Sequence, residues 1–132
     1  MAKLNTSSKI YVDISKIPNG GRGVFARRDI KNGEVIESCP VIEIPHDDVA
    51  NLLDSVLITY FYYLGPRKDR VLITLGFGAI YNHTYTPNAR YVEKLKEGIV
   101  EFVAIKDISK DEEITVNYNS EDSGSTNPLW FE

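Results

Sequence analysis

Short apolar and β-branched runs recur along the chain, at residues 10–14, 24–26, 35–37, 41–44, 71–75, 90–95, 99–105 and 114–118. Between them lies turn chemistry: Pro18-Asn19-Gly20-Gly21, Lys31-Asn32-Gly33, Gly65-Pro66 and Lys96-Glu97-Gly98. Glycine and asparagine supply backbone angles that strand residues avoid, and proline removes a ladder donor. The pattern predicts a β-rich fold of small sheets, mainly β with short helices. The runs at 90–95 and 99–105 flank a Gly-containing turn and predict a hairpin. One helix is predicted after His46-Asp47-Asp48, where an aspartate can cap the first turn. Val49, Leu52, Leu53, Val56 and Leu57 then fall at i, i+3, i+4, i+7 and i+8, a stripe expected to face the core.

A chain of 132 residues suits one domain, taken as 1–132, that folds without disulfides or a structural metal. Cys39 is the sole cysteine, which excludes an intrachain disulfide and a Cys-rich zinc cluster. His46 and His83 are the only histidines, so a histidine-based metal site has little to build on, and no metal is expected. Residues 1–8 lack the apolar run of a secretion signal and no segment is long enough to span a bilayer. The expectation is therefore an intracellular protein, cytoplasmic or nuclear, without membrane association. A net charge of −4 disfavours a nucleic-acid surface and is compatible with a basic peptide as partner. Residues 119–127 are polar, yet the chain then reads Pro128-Leu129-Trp130-Phe131. Apolar side chains of this size are expected to dock, since each left in water forgoes about 1.5–3 kcal/mol.

Three segments carry candidate chemistry. Asn19-Gly20-Gly21-Arg22-Gly23 leads into Val24-Phe25-Ala26 and exposes backbone groups to a close ligand. Alone it reads equally as an ordinary hairpin turn, and it is no phosphate loop, because no Gly-Lys-Ser/Thr and no helix follow. Asn82-His83 lies within Gly78-Ala79-Ile80-Tyr81-Asn82-His83-Thr84-Tyr85-Thr86-Pro87-Asn88-Ala89. The asparagine offers a donor and an acceptor to a zwitterionic amino acid; the plainer alternative is a buried turn in which both residues satisfy backbone groups. Asp111-Glu112-Glu113 runs into Ile114-Thr115-Val116-Asn117-Tyr118. Alternation puts Tyr118 on the face of Ile114 and Val116, anchoring its ring while its hydroxyl reaches a cavity. A core-edge tyrosine bonded to backbone is the bland alternative.

Taken in this order, the glycine turn, the Asn-His loop with its Pro-Asn, and the acidic turn ending on tyrosine resemble a SET-domain lysine methyltransferase of the small stand-alone type. The resemblance covers most of the chain. It implies a SET fold whose C-terminal segment, 119–132, passes the Asn82-His83 loop as a pseudoknot and closes the site. It implies S-adenosyl-L-methionine as cofactor, held by Gly21, Arg22, Gly23, Asn82, His83 and Tyr118 and capped by Trp130. It implies Tyr118 as the catalytic residue and a lysine channel walled by Tyr60, Tyr62, Tyr91 and Val116. A lysine-containing basic protein, such as a histone or other chromatin protein, would be the substrate. A homodimer completing a substrate groove is one arrangement among several. The sequence departs from the family at Thr84, where serine is usual, at Asn117, where many relatives have aspartate, and at Val116, where relatives carry a crowding Phe or Tyr. The smaller valine implies room for additional methyl groups, with Tyr91 able to restore crowding. The competing reading is a catalytically weak module that binds a lysine-containing peptide, and methylation of a group other than lysine also stays open.

Overall fold

A computed structural model describes residues 4–64 and 69–118. Among these residues nine strands form two sheets: β1 (Ile10–Ile14), β2 (Arg22–Ala26), β3 (Val35–Ile44), β4 (Tyr62–Leu64), β5 (Arg70–Thr74), β6 (Asn82–His83), β7 (Ala89–Lys94), β8 (Ile99–Ala104) and β9 (Glu113–Val116). The smaller sheet has the order β1-β2-β9-β6 and the larger β4-β5-β3-β8-β7. Neighbouring strands are antiparallel except β6 and β9, which run parallel with Asn82 opposite Thr115 and His83 opposite Val116. The β-rich expectation holds, and the predicted hairpin is β7–β8, turned through Leu95–Glu97 and a left-handed Gly98 at φ 70°.

Two expectations need correction. The runs at 35–37 and 41–44 are one strand, β3, despite Pro40. Its first half, through Pro40, pairs with β8, whereas Val41 to Ile44 pair with β5. Proline, which has no N–H to give, stands where the strand changes partner, and its carbonyl still accepts from Leu75 N at 2.8 Å.

The predicted amphipathic helix is the second. A 3-10 turn at His46–Asp48 leads into a five-residue α1 (Val49–Leu53), and a separate 3-10 turn follows at Val56–Thr59. No aspartate side chain caps α1. Ser55, in extended conformation, interrupts the helix and accepts from Leu57 N, a local bond that competes with helical pairing. The stripe is consequently not core: Leu52 is buried, but Leu53, Leu57 and Val56 are 44, 39 and 78 % exposed.

Beneath both sheets Ile10, Val24, Ile30, Ile36, Leu72, Tyr81, Val100, Phe102, Ile108, Ile114 and Val116 pack as one buried cluster. Tyr81 stacks on Phe102 with ring centroids 4.2 Å apart. Contact of this kind adds about 0.5–1.5 kcal/mol beyond area burial. It also seats the segment just before Asn82 on the larger sheet. Among the described residues no helix is long and apolar enough to cross a membrane.

Candidate active site

The turn joining β1 to β2 folds back on itself through Ser15 N donating to Gly21 O at 2.8 Å and Gly20 N to Ile17 O at 2.9 Å. Asn19 and Gly21 both take positive φ, 63° and 62°. A side chain on Gly21 would meet nothing within 4 Å, so its backbone faces open space. Gly23 differs: a Cβ there would lie 2.5 Å from Glu113 Oε2 and 3.2 Å from Asn82 Nδ2. Its glycine lets two other residues close over β2 rather than exposing β2 to a ligand.

Those two residues form the hub of the site. Glu113 accepts from Ser15 Oγ at 2.8–2.9 Å, Lys16 N at 3.0 Å and Asn82 Nδ2 at 3.0 Å. Asn82 Nδ2 also donates to Arg22 O at 2.8 Å. With its two N–H groups engaged by protein, Asn82 presents its carbonyl oxygen as the group able to take a ligand donor. Asn88 secures the other side of β9, donating to Glu112 Oε2 and to Glu113 O while accepting from Thr115 N.

The parallel β6–β9 pairing brings His83 beside the end of β9. His83 Nδ1 accepts from Tyr118 N at 3.0 Å, so this nitrogen fixes backbone and is not available as a base. The Tyr118 hydroxyl donates to the carbonyl of Tyr81. Burial, with smaller contributions from Glu113 and Tyr60, pushes the Tyr118 phenol well above the ordinary tyrosine range. It is a neutral donor and acceptor, not a phenolate.

Around it is an aromatic cluster. Tyr62 meets Tyr118 edge to face at 6.1 Å and Tyr91 at 5.1 Å, and the His83 ring lies 5.2 Å from Tyr118. Tyr62 donates to Gly78 O at 2.9 Å and Tyr91 to Tyr118 O at 3.1 Å. These bonds tie one ring to the backbone next to the cleft-lining Ala79 and the other to Tyr118 on the cleft itself.

A cleft of about 770 Å³ opens between the glycine turn and the Asn-His loop. Of the residues expected at the site it brings together Gly21, Arg22, Asn82, His83, Tyr60 and Tyr118 on its wall. Gly23, Tyr62, Tyr91 and Val116 are not on that wall. Tyr62, Tyr91 and Val116 are buried behind it, and Trp130 lies outside the described residues. Ile17, Asn19, Thr59, Ile80 and Tyr85 also line the cleft, and Glu113 organises it. Tyr85 sets its ring edge to face on His83 at 4.5 Å. The acidic turn pointed to Glu113, but nothing local told that it reaches back to Ser15, 98 residues away.

The SET domain family matches residues 21–119 of this chain. The chain belongs to the SET domain family. This SET domain is 28% identical over 149 residues to the histone-lysine N-methyltransferase SETD7 of Halocynthia roretzi, covering 95% of the chain and 37% of that protein. It thus spans little more than a third of the curated relative's length. A Plasmodium falciparum protein whose crystal structure was solved as that of a candidate histone methyltransferase is 30% identical. There the TM-score is 0.67, with 98% of this chain and 100% of that one covered. The SET domain also has the fold of the Chaetomium thermophilum Polycomb Repressive Complex 2 bound to S-adenosylmethionine, at 22% identity and a TM-score of 0.67. That match covers 86% of this chain and 15% of the other. Among the described residues no cluster of three His, Cys, Asp or Glu side chains could hold a metal ion.

Proposed function

We propose that this SET domain transfers methyl groups from S-adenosyl-L-methionine to the side-chain amine of a lysine in a basic protein. The observation that carries the reading is Tyr118: a half-buried, neutral phenol where the cleft meets a tyrosine cluster, its backbone and hydroxyl both held. The residues present suit the cofactor. Open backbone at Gly21, the acceptor oxygen of Asn82 and the exposed guanidinium of Arg22 match an amino-acid end with its ammonium and carboxylate. Bound in the cleft, S-adenosylmethionine supplies an electrophilic methyl carbon on a positively charged sulfur. Relatives support the choice, since one is named a histone-lysine N-methyltransferase and a neighbour of the same fold was solved with S-adenosylmethionine.

The chain's own part is to orient and to desolvate. Transfer needs a neutral amine, whereas free lysine has a pKa of about 10.4. Tyr60 and Tyr118 offer apolar faces to the aliphatic stem, with Tyr62 and Tyr91 packed behind the wall, and burial there disfavours the ammonium form. With its proton directed to the Tyr81 carbonyl, the Tyr118 oxygen is an acceptor for an amine N–H and lines up the nitrogen lone pair. Val116 and Tyr91 stand one layer behind, where their size and hydroxyl set how many methyl groups fit. Trp130 is assigned to the closing segment by resemblance.

A labelled-methyl assay on histones and other basic proteins, with mass-spectrometric mapping, tests the proposal. Wild type should label a lysine, and Tyr118→Phe should lose about 100-fold or more in rate while binding cofactor within a few-fold. A variant as active as wild type removes Tyr118 from the mechanism. Cofactor and peptide binding without any product would instead establish the binding module.

A further inference from the structure

Glu37 is a carboxyl group in an apolar strand. It sits in β3 between buried Ile36 and, two residues on, buried Cys39, and is itself only 9 % exposed. Burying such a group is costly unless its oxygens are well bonded. Its Oε1 accepts from the Tyr81 hydroxyl at 2.8 Å and its Oε2 from Phe77 N at 3.0 Å. One side chain therefore grips the 75–81 turn at two places. Gly76 makes room for it: φ is 65°, and a Cβ there would stand 2.5 Å from Glu37 Oε2.

The two carbonyls in that turn which receive tyrosine hydroxyls lie within the gripped stretch. Gly78 O takes the proton of Tyr62 at 2.9 Å and Tyr81 O takes that of Tyr118. Two other polar side chains lie under the turn. Thr74 Oγ1, buried under Gly78, has no hydrogen-bond partner among the described residues. Cys39 Sγ, also under Gly78, meets the Gly78 backbone and Glu37, and its thiol is pushed up by burial first and by Glu37 second, so it stays protonated beside the carboxyl. We infer that Glu37 is a positioning residue that acts through the 75–81 turn to hold the Tyr62 ring behind the cleft wall and to aim the Tyr118 hydroxyl at the reacting amine. This rests on the proposed role of Tyr118. It adds a residue that touches neither the cleft nor the substrate.

Because Gly21, Arg22 and Asn82 make no bond to this carboxyl, its effect should fall on turnover rather than on cofactor binding. In Glu37→Gln and in Tyr81→Phe, kcat should drop about tenfold or more, as small misplacements of reacting groups do, with KM for S-adenosylmethionine within about twofold. The double variant should be no slower than the worse single one, because both break the same grip. Glu37→Met, similar in volume but unable to accept, should recover much of the melting temperature without recovering kcat. Independently of activity, tyrosine labelled with ¹³C at Cζ should show the Tyr62 and Tyr118 resonances moving in Glu37→Gln. That of Tyr11, bonded to Asp111 on the smaller sheet, should stay in place. A folded Glu37→Gln with wild-type kcat, or with Tyr62 and Tyr118 resonances unmoved, overturns the inference. Recovery of kcat by Glu37→Met overturns it as well, since only packing would then matter. If wild type transfers no methyl group, it is the function that falls, and the resonances still decide what Glu37 holds.

Discussion

Single residues at this site act less as isolated reagents than as bonded parts of a frame, and Asn82 is the clearest case. Its Nδ2 joins Arg22 O on β2 to Glu113 on β9, and the residue lines the cleft. Asn82→Ala should weaken cofactor binding by about 1–3 kcal/mol, because a charged amino-acid end loses its partner. It should also lower the melting temperature, because Glu113 loses a donor. Calorimetry with unchanged affinity would remove Asn82 from the cofactor site. The raised phenol of Tyr118 makes a second prediction. A tyrosine whose folded value lies above the ordinary one keeps its proton across neutral pH, so Tyr118 does not titrate in the working range. Any rise in rate from pH 7 toward about 9 then belongs to the lysine amine. Tyr118→Phe should retain that rise at its lower rate. A variant with a flat profile, chemistry being rate-limiting, would assign the ionisation to Tyr118 itself.

Among the elements, the region from α1 to the 3-10 turn at Val56–Thr59 is where burial and sequence pattern part company. Val56→Ser should change stability by no more than about 0.5 kcal/mol, as for a surface site. Leu52→Ala should cost about 2 kcal/mol or more. Denaturant melts that rank them the other way would put the stripe back in the core. At the start of β3, Glu34 ties three segments together, accepting from Lys31 N and pairing with Lys9 at 3.0 Å and Arg28 at 2.8 Å. The Lys31 amide first, then Lys9 and Arg28, hold its carboxyl down to about 2. A lowered folded value means stability that is complete above the unfolded value near 4.5 and is lost as pH falls toward 2. Glu34→Gln should therefore melt lower than wild type at pH 7 and close that gap as the pH drops through this window. A gap that stays constant with pH would show that the carboxylate charge contributes nothing.

For the molecule as a whole, the charge of −4 sets how a basic partner approaches. Apparent affinity for a lysine-rich peptide should fall several-fold between low and physiological salt, mostly through slower association, as surface charges are screened over about 8–10 Å. Binding that ignores salt would point to apolar recognition, and Val56, Leu53 and Leu57 are among the exposed apolar side chains that could supply it.

Local chemistry was enough to mark most of the strands and to single out three candidate segments, because each signal is written within a few residues, but it missed the short strands β4 and β6. Alternation marks a half-buried strand, glycine marks a left-handed turn, and Asn-His or a tyrosine ending a strand marks itself. Pro40 and the Val49 to Leu57 stripe show where that stops. Whether a proline can sit inside a strand depends on which neighbour pairs at that point, and whether an apolar stripe is core depends on what lies opposite it. Both are properties of contacts distant in sequence. The same holds for the site's supports. Glu113 reaches Ser15 and Asn82, Glu37 reaches Phe77 and Tyr81, and His83 meets the backbone of Tyr118, across separations of 31 to 98 residues. The sequence by itself determined which chemical groups are present and in what order. The tertiary structure decided which of them touch, because hydrogen bonds and burial act through space and register, neither of which is encoded at any one position.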